Sequence, residues 1–188
     1  MSQENHEGVE NMIKTIKVNL NILEYMLYFW QASSENEKVN EDYLAEIAAQ
    51  PEMATLYTED FTAADVRKVL SAVTNREKLS DINEVAYTFM RNNMWVMDDM
   101  GLLGFMVAPI KVLNVDDLAA KVNSVKDIPY ENVEVIFLPG TTKDYYIIEN
   151  KLYINFFKVQ ADIYDENNVT IDGQPVREYI EAKLLEMA

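Results

Sequence analysis

The sequence contains no cysteine and only one histidine in 188 residues. The missing cysteine excludes disulfides, thiolate catalysis and cysteine-ligated metal centres. The one histidine, His6, lies in the polar N-terminal stretch MSQENHEGVEN, so one chain cannot supply a multi-histidine metal site. The glycines of GLLG (101–104) lack the spacing of a phosphate-binding loop, and no GxGxxG motif is present. We therefore expect no cofactor, no metal and no histidine-based triad.

Long hydrophobic runs are also missing, and glycine and proline occur only five times each. The longest apolar concentration, NILEYMLYFW (21–30), carries Glu24 and is about half the ~20 residues of a membrane span. The first residues have neither the basic start nor the apolar centre of a signal peptide. The sequence is thus typical of a soluble cytoplasmic protein, with no membrane as a partner.

Basic residues are scarce: 16 Lys and Arg stand against 32 Asp and Glu, for a net charge of −16. The acidic excess is spread along the chain and forms no acidic tail. A negative field repels phosphate backbones and anionic lipid surfaces, so we expect no nucleic-acid partner. The negative net charge is compatible with a basic partner protein, and equally with a role in solubility alone.

The N-terminal half carries helical periodicity. Apolar residues at alternating spacings of three and four predict a helix from Val9 to about Gln31. Its later turns are apolar nearly all round, which places the helix either in the core or in the seam of a homodimer. A second helix is predicted over Glu41–Gln50, ended by Pro51. Thr62 and Asp65 form a capping-box pattern before a third.

The C-terminal half carries strand patterns. FMVAPIKVL (105–113) is a strand candidate that Pro109 restricts to an edge, after a helix for which Gly101 is the predicted end. Further strands are predicted in VEVIFL (133–138) and NVTID (168–172). Pro175 is suited to the first turn of a terminal helix, because its missing N–H costs nothing there.

The segment DYYIIENKLYINFFKVQADIY predicts a β-hairpin with a two-residue turn at Glu149–Asn150. In that register Tyr145, Ile147, Leu152 and Ile154 share one face, and Tyr146 and Tyr153 share the other. The apolar alternation changes parity once, which predicts a bulge or bend near Phe156–Phe157.

These patterns predict an α+β fold, with a helical N-terminal half packed on a mainly antiparallel C-terminal sheet and closed by a C-terminal helix. We expect a single domain over residues 1–188. It comprises a tail (1–8), a mainly helical half (9–100) and a mainly β half with the terminal helix (101–188).

Five residues are candidate binding positions. Asp98 and Asp99 stand at a predicted helix end, where the dipole disfavours anions, so a cation or a basic partner would offset their repulsion. Trp95 lies beside them in a methionine-rich segment. Tyr146 and Tyr153 are either covered by the N-terminal helices or exposed as anchors for a partner or small ligand.

The absent catalytic groups, the negative charge and the surplus of Tyr and Met favour a non-enzymatic protein-binding or regulatory module with a basic partner. The alternative is a small-ligand site or carboxylate-dependent enzyme near Asp98 and Asp99, which requires both side chains in one concave pocket. A homodimer is compatible with both.

Overall fold

A computed structural model describes residues 12–188 of the chain. The helices are α1 (Asn21–Ser34), α2 (Glu41–Ala49), α3 (Pro51–Ala54), α4 (Ala63–Asn75), α5 (Glu84–Asp98), α6 (Met100–Lys111), α7 (Leu118–Asn123) and α8 (Val176–Leu184). The strands are β1 (Thr15–Asn19), β2 (Asn132–Leu138), β3 (Tyr145–Ile148), β4 (Lys151–Asn155), β5 (Val159–Ala161), β6 (Val169–Ile171) and β7 (Gln174–Pro175). A 3₁₀ turn, Phe156–Lys158, joins β4 to β5. The predicted α+β class and the closing C-terminal helix are confirmed.

Two sheets organise these elements. The larger has the strand order β1-β2-β4-β3, and the smaller has the order β5-β6-β7. The small sheet and the β3–β4 hairpin are antiparallel, as predicted. The larger sheet also contains an unpredicted feature: β2 runs parallel to both β1 and β4.

The predicted helix from Val9 to Gln31 is wrong in its first half. Residues 9–11 lie outside the described part, Thr15–Asn19 form strand β1, and the helix starts only at Asn21. Ile16 and Val18 fit a strand because they alternate with polar neighbours, but their partners Val133 and Val135 lie more than a hundred residues away. Local periodicity cannot reveal such a pairing.

The predicted strand over FMVAPIKVL is also wrong. These residues belong mainly to helix α6, where Leu103, Met106, Val107 and Ile110 are buried at helical spacing. Pro109 lies in the last turn, where its missing N–H removes the bond to the Phe105 carbonyl, and the helix ends two residues later at Lys111. Gly101 is the second residue of α6 and does not end a helix, so that prediction is wrong too.

The hairpin has the predicted register: Tyr145 lies opposite Ile154, Tyr146 opposite Tyr153, Ile147 opposite Leu152, and Ile148 opposite Lys151. The predicted bend at Phe156–Phe157 is a 3₁₀ turn. Beyond it the chain leaves the first sheet and pairs with β6. The capping box of Thr62 and Asp65 is present.

Helices cover both faces of the larger sheet. In β2 the successive residues Val135 and Ile136 are both buried, which requires cover on either side. Helix α8 covers one face, where Tyr179 meets Tyr145 edge to face at 6.2 Å between ring centroids. Helices α1 and α3 contact β2 on the other. The buried residues form one continuous core, to which α1 contributes Ile22, Leu23, Met26, Phe29 and Trp30. Every helix between residues 12 and 188 is too short or too polar to cross a bilayer.

Candidate functional site

The two tyrosines predicted as candidate anchors lie inside the fold. Tyr153 is only 5% exposed, and its ring stacks on that of Tyr146 at 5.0 Å with an interplanar angle of 13°. The Tyr146 hydroxyl is hydrogen-bonded to the hydroxyl of Thr55, which follows α3 directly. Burial raises the pKa of Tyr146 to about 12, so the phenol is neutral at physiological pH. The pair joins the sheet to the helical layer.

The two candidate aspartates lie on opposite sides of a helix break. Asp98 is the last residue of α5, and Asp99 is the N-cap of α6, accepting a hydrogen bond from the Leu102 backbone N–H at 2.9 Å. Asp99 therefore sits at a positive helix end, where an anion is favoured. Asp98 borders a different, shallow cavity next to Met94 and Met97. The structure does not bring the two carboxylates into one pocket.

The remaining candidate, Trp95, lines a groove on the surface of the protein. The groove has a volume of about 620 Å³ and runs between the α5–α6 junction and the segment Phe157–Tyr164. Trp95, Ile163 and Tyr164 are 47%, 72% and 93% exposed. Three exposed large apolar side chains thus share one concave surface, here called the Trp95 groove.

Leu102 and Met106 of α6 form the apolar wall next to Trp95. Met106 is buried and Leu102 half-buried, so this wall belongs to the folded core and is fixed in place. Trp95 is held by the helix that carries it, because the next residue, Val96, is also buried. The Trp95 ring therefore extends from a rigid support, which lowers the entropy lost when a partner is bound.

The opposite wall is the edge strand β5. The two-residue turn at Asp172–Gly173, with positive φ at both residues, makes Ile171 and Gln174 a hydrogen-bonded pair. In an antiparallel pair of strands, hydrogen-bonded and non-hydrogen-bonded residue pairs alternate. Because Ile171 is bonded to β7, Thr170 exchanges its backbone hydrogen bonds with Gln160 of β5. The backbone groups of Val159 and Ala161 therefore point away from β6. The Val159 N–H is bonded to the Phe156 carbonyl within the 3₁₀ turn. Ala161 and the Val159 carbonyl remain along an unpaired edge.

The charge around the groove is predominantly negative. Asp162 lines it, Asp99 caps the helix that forms its wall, and Asp165 and Glu166 follow Tyr164 in the same exposed loop. The single cation in the lining, Lys158, has its Nζ 3.8 Å from the Asp144 carboxylate. The groove therefore presents apolar surface with Asp162 in its lining and further carboxylates in the adjoining segments of the chain.

Trp95 and Asp99 were predicted from the sequence, whereas Ile163, Tyr164 and Leu102 were missed. Ile163 and Tyr164 carried a signal, because two large apolar residues stand in the otherwise polar loop ADIYDENN. Their role depends on the chain bending at Phe156–Lys158 and returning to α6, which local pattern does not show.

No cluster of three or more possible metal-ligating His, Cys, Asp or Glu side chains occurs within residues 12–188. No protein-family model matches the sequence, and searches of curated proteins and of solved structures return no match.

Proposed function

We propose that this protein is a non-enzymatic binding module that holds an exposed, basic segment of a partner protein in the Trp95 groove. The observation that supports it is the concentration of Trp95, Ile163 and Tyr164 on one concave surface in a strongly acidic chain. Soluble proteins rarely expose large apolar side chains side by side unless that surface is used.

The apolar part of the groove provides anchoring. Trp and Tyr are the residues most enriched among those that dominate interface energies, since each buries a large rigid surface and retains one polar group. Trp95 projects from a helix whose neighbouring residue is buried, so its position needs little reorganisation on binding. A partner that covers the indole and the Tyr164 ring removes both from water.

The charge of the protein supplies the preference for a basic partner. A net charge of −16 attracts basic proteins at long range and speeds their encounter at low ionic strength. Asp162 lines the groove and is available to Lys or Arg side chains that flank an apolar anchor. Asp99, at the cap of α6, and Asp165 and Glu166, which follow Tyr164 in the chain, add to the negative charge of these segments. Such exposed pairs contribute modestly each and act mainly on specificity and association rate.

The edge of β5 adds a backbone component. An extended partner segment can pair with the outward groups of Val159 and Ala161 while its alternate side chains enter the space beside Trp95 and Met106. Only three residues form this edge, so it aligns the partner more than it contributes to affinity.

The test begins with capture of partners from the protein's own cell at low salt, followed by affinity measurements on the purified complex. Trp95→Ala is expected to weaken binding at least about 30-fold, as for an interface hot spot. The double variant Asp99→Asn and Asp162→Asn retains the acceptors for the Leu102 and Tyr164 N–H groups but removes two charges. It should weaken binding roughly 2- to 10-fold and reduce the salt dependence.

The matched control is Asp42→Asn with Asp127→Asn, which removes two exposed charges from α2 and from the connection after α7. It should leave affinity within about twofold, because those charges act only through the screened long-range field. A partner that binds Trp95→Ala as tightly as the wild type would exclude this groove as its site.

A further inference from the structure

A second cavity, separate from the Trp95 groove, lies at the carboxyl ends of the parallel strands. Leu138 and Asn155, the last residues of β2 and β4, both line it, and its volume is about 410 Å³. Sheets with parallel strands commonly bind ligands outside the carboxyl ends of those strands, where the connecting loops diverge. This volume is also in the range of pockets that enclose small organic molecules.

The cavity has an apolar part built from well-supported side chains. Phe61 is buried, and its ring packs on the ring of Phe89 at 5.4 Å between centroids. Val85, in the first turn of α5, and Ile148, which shares the sheet face of Tyr146, complete this part of the lining. It can receive a hydrocarbon or aromatic group.

The polar wall is the loop after β2, Gly140–Lys143, which Asn155 fixes from beneath. The side-chain oxygen of Asn155 accepts from the Gly140 N–H at 3.2 Å, and its amide donates to the carbonyls of Thr141 and Lys143. The loop is thus held entirely through its backbone. The hydroxyls of Thr141 and Thr142 and the Lys143 ammonium form no hydrogen bond or salt bridge with residues 12–188.

The charge of this cavity is opposite to that of the protein as a whole. Lys143 is the only charged residue that lines it, and it forms no salt bridge with any residue from 12 to 188. Its neighbour Asp144 has its carboxylate 3.8 Å from Lys158 Nζ, on the side of the hairpin turned towards the 3₁₀ turn. One ammonium and several hydroxyls without a competing carboxylate in the lining are suited to an anion.

From this arrangement we propose that the cavity binds a small organic carboxylate, with the anionic group at Lys143 and the threonine hydroxyls and the hydrocarbon body against Phe61, Val85 and Ile148. The site is distinct from the protein-binding groove and does not depend on it. Tyr146 and Thr55 close the cavity on the side of the helical layer through their mutual hydrogen bond.

The test is an amide-resolved NMR titration with 3-phenylpropanoate as the probe, and 3-phenylpropylamine as the matched cation. For a fragment of this size the dissociation constant is expected on the order of 1 mM. Saturable shifts should appear at the amides of Gly140 to Lys143 and of Ile147. The amine should bind at least about tenfold more weakly, since it brings a like charge to Lys143.

Lys143→Gln is the variant of choice, because Lys143 is exposed and its ammonium forms no salt bridge with residues 12–188. This variant should weaken the binding of 3-phenylpropanoate at least about fivefold and leave the remaining amide spectrum unchanged. Absence of saturable shifts at these amides, an equal response to the amine, or unaltered binding by Lys143→Gln would each overturn the proposal. These outcomes do not bear on the Trp95 groove.

Discussion

At the scale of single residues, one buried amide sets the geometry of a whole loop. Asn155 is 2% exposed and satisfies all of its hydrogen-bonding capacity within the protein, including the Phe157 N–H at 3.0 Å. It therefore fixes both the loop after β2 and the start of the 3₁₀ turn. The hairpin register places Asn155 on the face of Tyr153, but nothing in the local sequence indicates that its partners would be backbone groups from residue 140 onwards.

Replacing this residue tests its role. Asn155→Ala is expected to lower the free energy of unfolding by about 3 kcal/mol, because it leaves several buried backbone groups without partners. The matched control is Asn150→Ala, which removes one exposed hydrogen bond to the Asn132 carbonyl and should cost less than about 1 kcal/mol. Denaturant unfolding of both variants measures the difference, and equal costs would contradict the assignment.

Gly140 is coupled to the same amide. A Cβ placed on Gly140 would lie 2.5 Å from the Asn155 side-chain carbon, so Gly140→Ala must displace that side chain. We expect Gly140→Ala to destabilise the protein by roughly 1–3 kcal/mol, and to cost less when Asn155 is already Ala. Additive costs in this double-mutant cycle would show that the two positions do not meet.

Tyr146 gives a residue-scale prediction on pH. Its folded-state pKa is raised to about 12 by burial, whereas an unfolded tyrosine has its ordinary pKa near 10. Between these two values the unfolded chain releases the proton first, so stability falls as pH rises from 10 towards 12. Below pH 10 the contribution is fully present. Tyr146→Phe should make the alkaline loss of stability less steep, measured as the unfolding free energy against pH. Equal slopes for both proteins would contradict it.

At the scale of elements, the break between α5 and α6 resolves the question of two adjacent aspartates at a helix end. For Asp99 the preference of anions for helix N-termini is satisfied, because a new helix begins at Met100 and Asp99 becomes its cap. The sequence indicated that two adjacent aspartates are unfavourable at a helix C-terminus, but it did not indicate that a second helix begins there. Two successive helices give an apolar pattern like that of one longer helix followed by a segment that fits either a helix or a strand. For this reason the prediction of a strand over residues 105–113 was wrong.

A cap substitution tests this interpretation of the break. Asp99→Ala removes the acceptor for the Leu102 N–H and should lower the free energy of unfolding by about 1 kcal/mol. Asp99→Asn retains the acceptor and should cost only a few tenths of a kcal/mol. Thermal or denaturant unfolding distinguishes the two, and an Asn variant as unstable as the Ala variant would show that the charge, not the cap, is what matters.

Strands were predictable from sequence where their partners are local. The β3–β4 hairpin, the bend after it and the pairing of β5 with β6 all follow from alternation and parity within about thirty residues. Strand β1 was missed because its stabilisation comes from parallel pairing with β2, and from the Ile16 N–H donating to the Asp116 carboxylate at 2.7 Å. Both contacts join segments about a hundred residues apart, beyond any local window.

At the scale of the whole molecule, the insertion of β1 beside β2 ties the N-terminal half to the C-terminal sheet. The larger sheet is mixed, because β1, β2 and β4 run parallel while β3 is antiparallel to β4, and its parallel strands have a common carboxyl end. The sequence predicted the class of the fold and one residue of the groove wall, Trp95. The groove and the cavity are each lined by segments that are far apart in the sequence, so neither could be predicted from local patterns.

The distribution of charge is also a property of the whole molecule. The acidic excess is general, yet the groove at Trp95 lies within acidic residues while the cavity at Lys143 is lined by a single cation. The two surfaces therefore differ in the sign of the group they favour. This separation allows each to be tested without disturbing the other.

The central claim is that the Trp95 groove receives a basic partner, and site-specific photo-cross-linking in the protein's own cell tests it most directly. A benzophenone amino acid replaces Trp95 in one variant and Tyr28, which is 57% exposed on α1, in a control. We expect position 95 alone to capture a basic protein, with a yield that falls as salt is raised. Capture of nothing at position 95, of the same proteins at both positions, or of an acidic partner insensitive to salt would contradict the account.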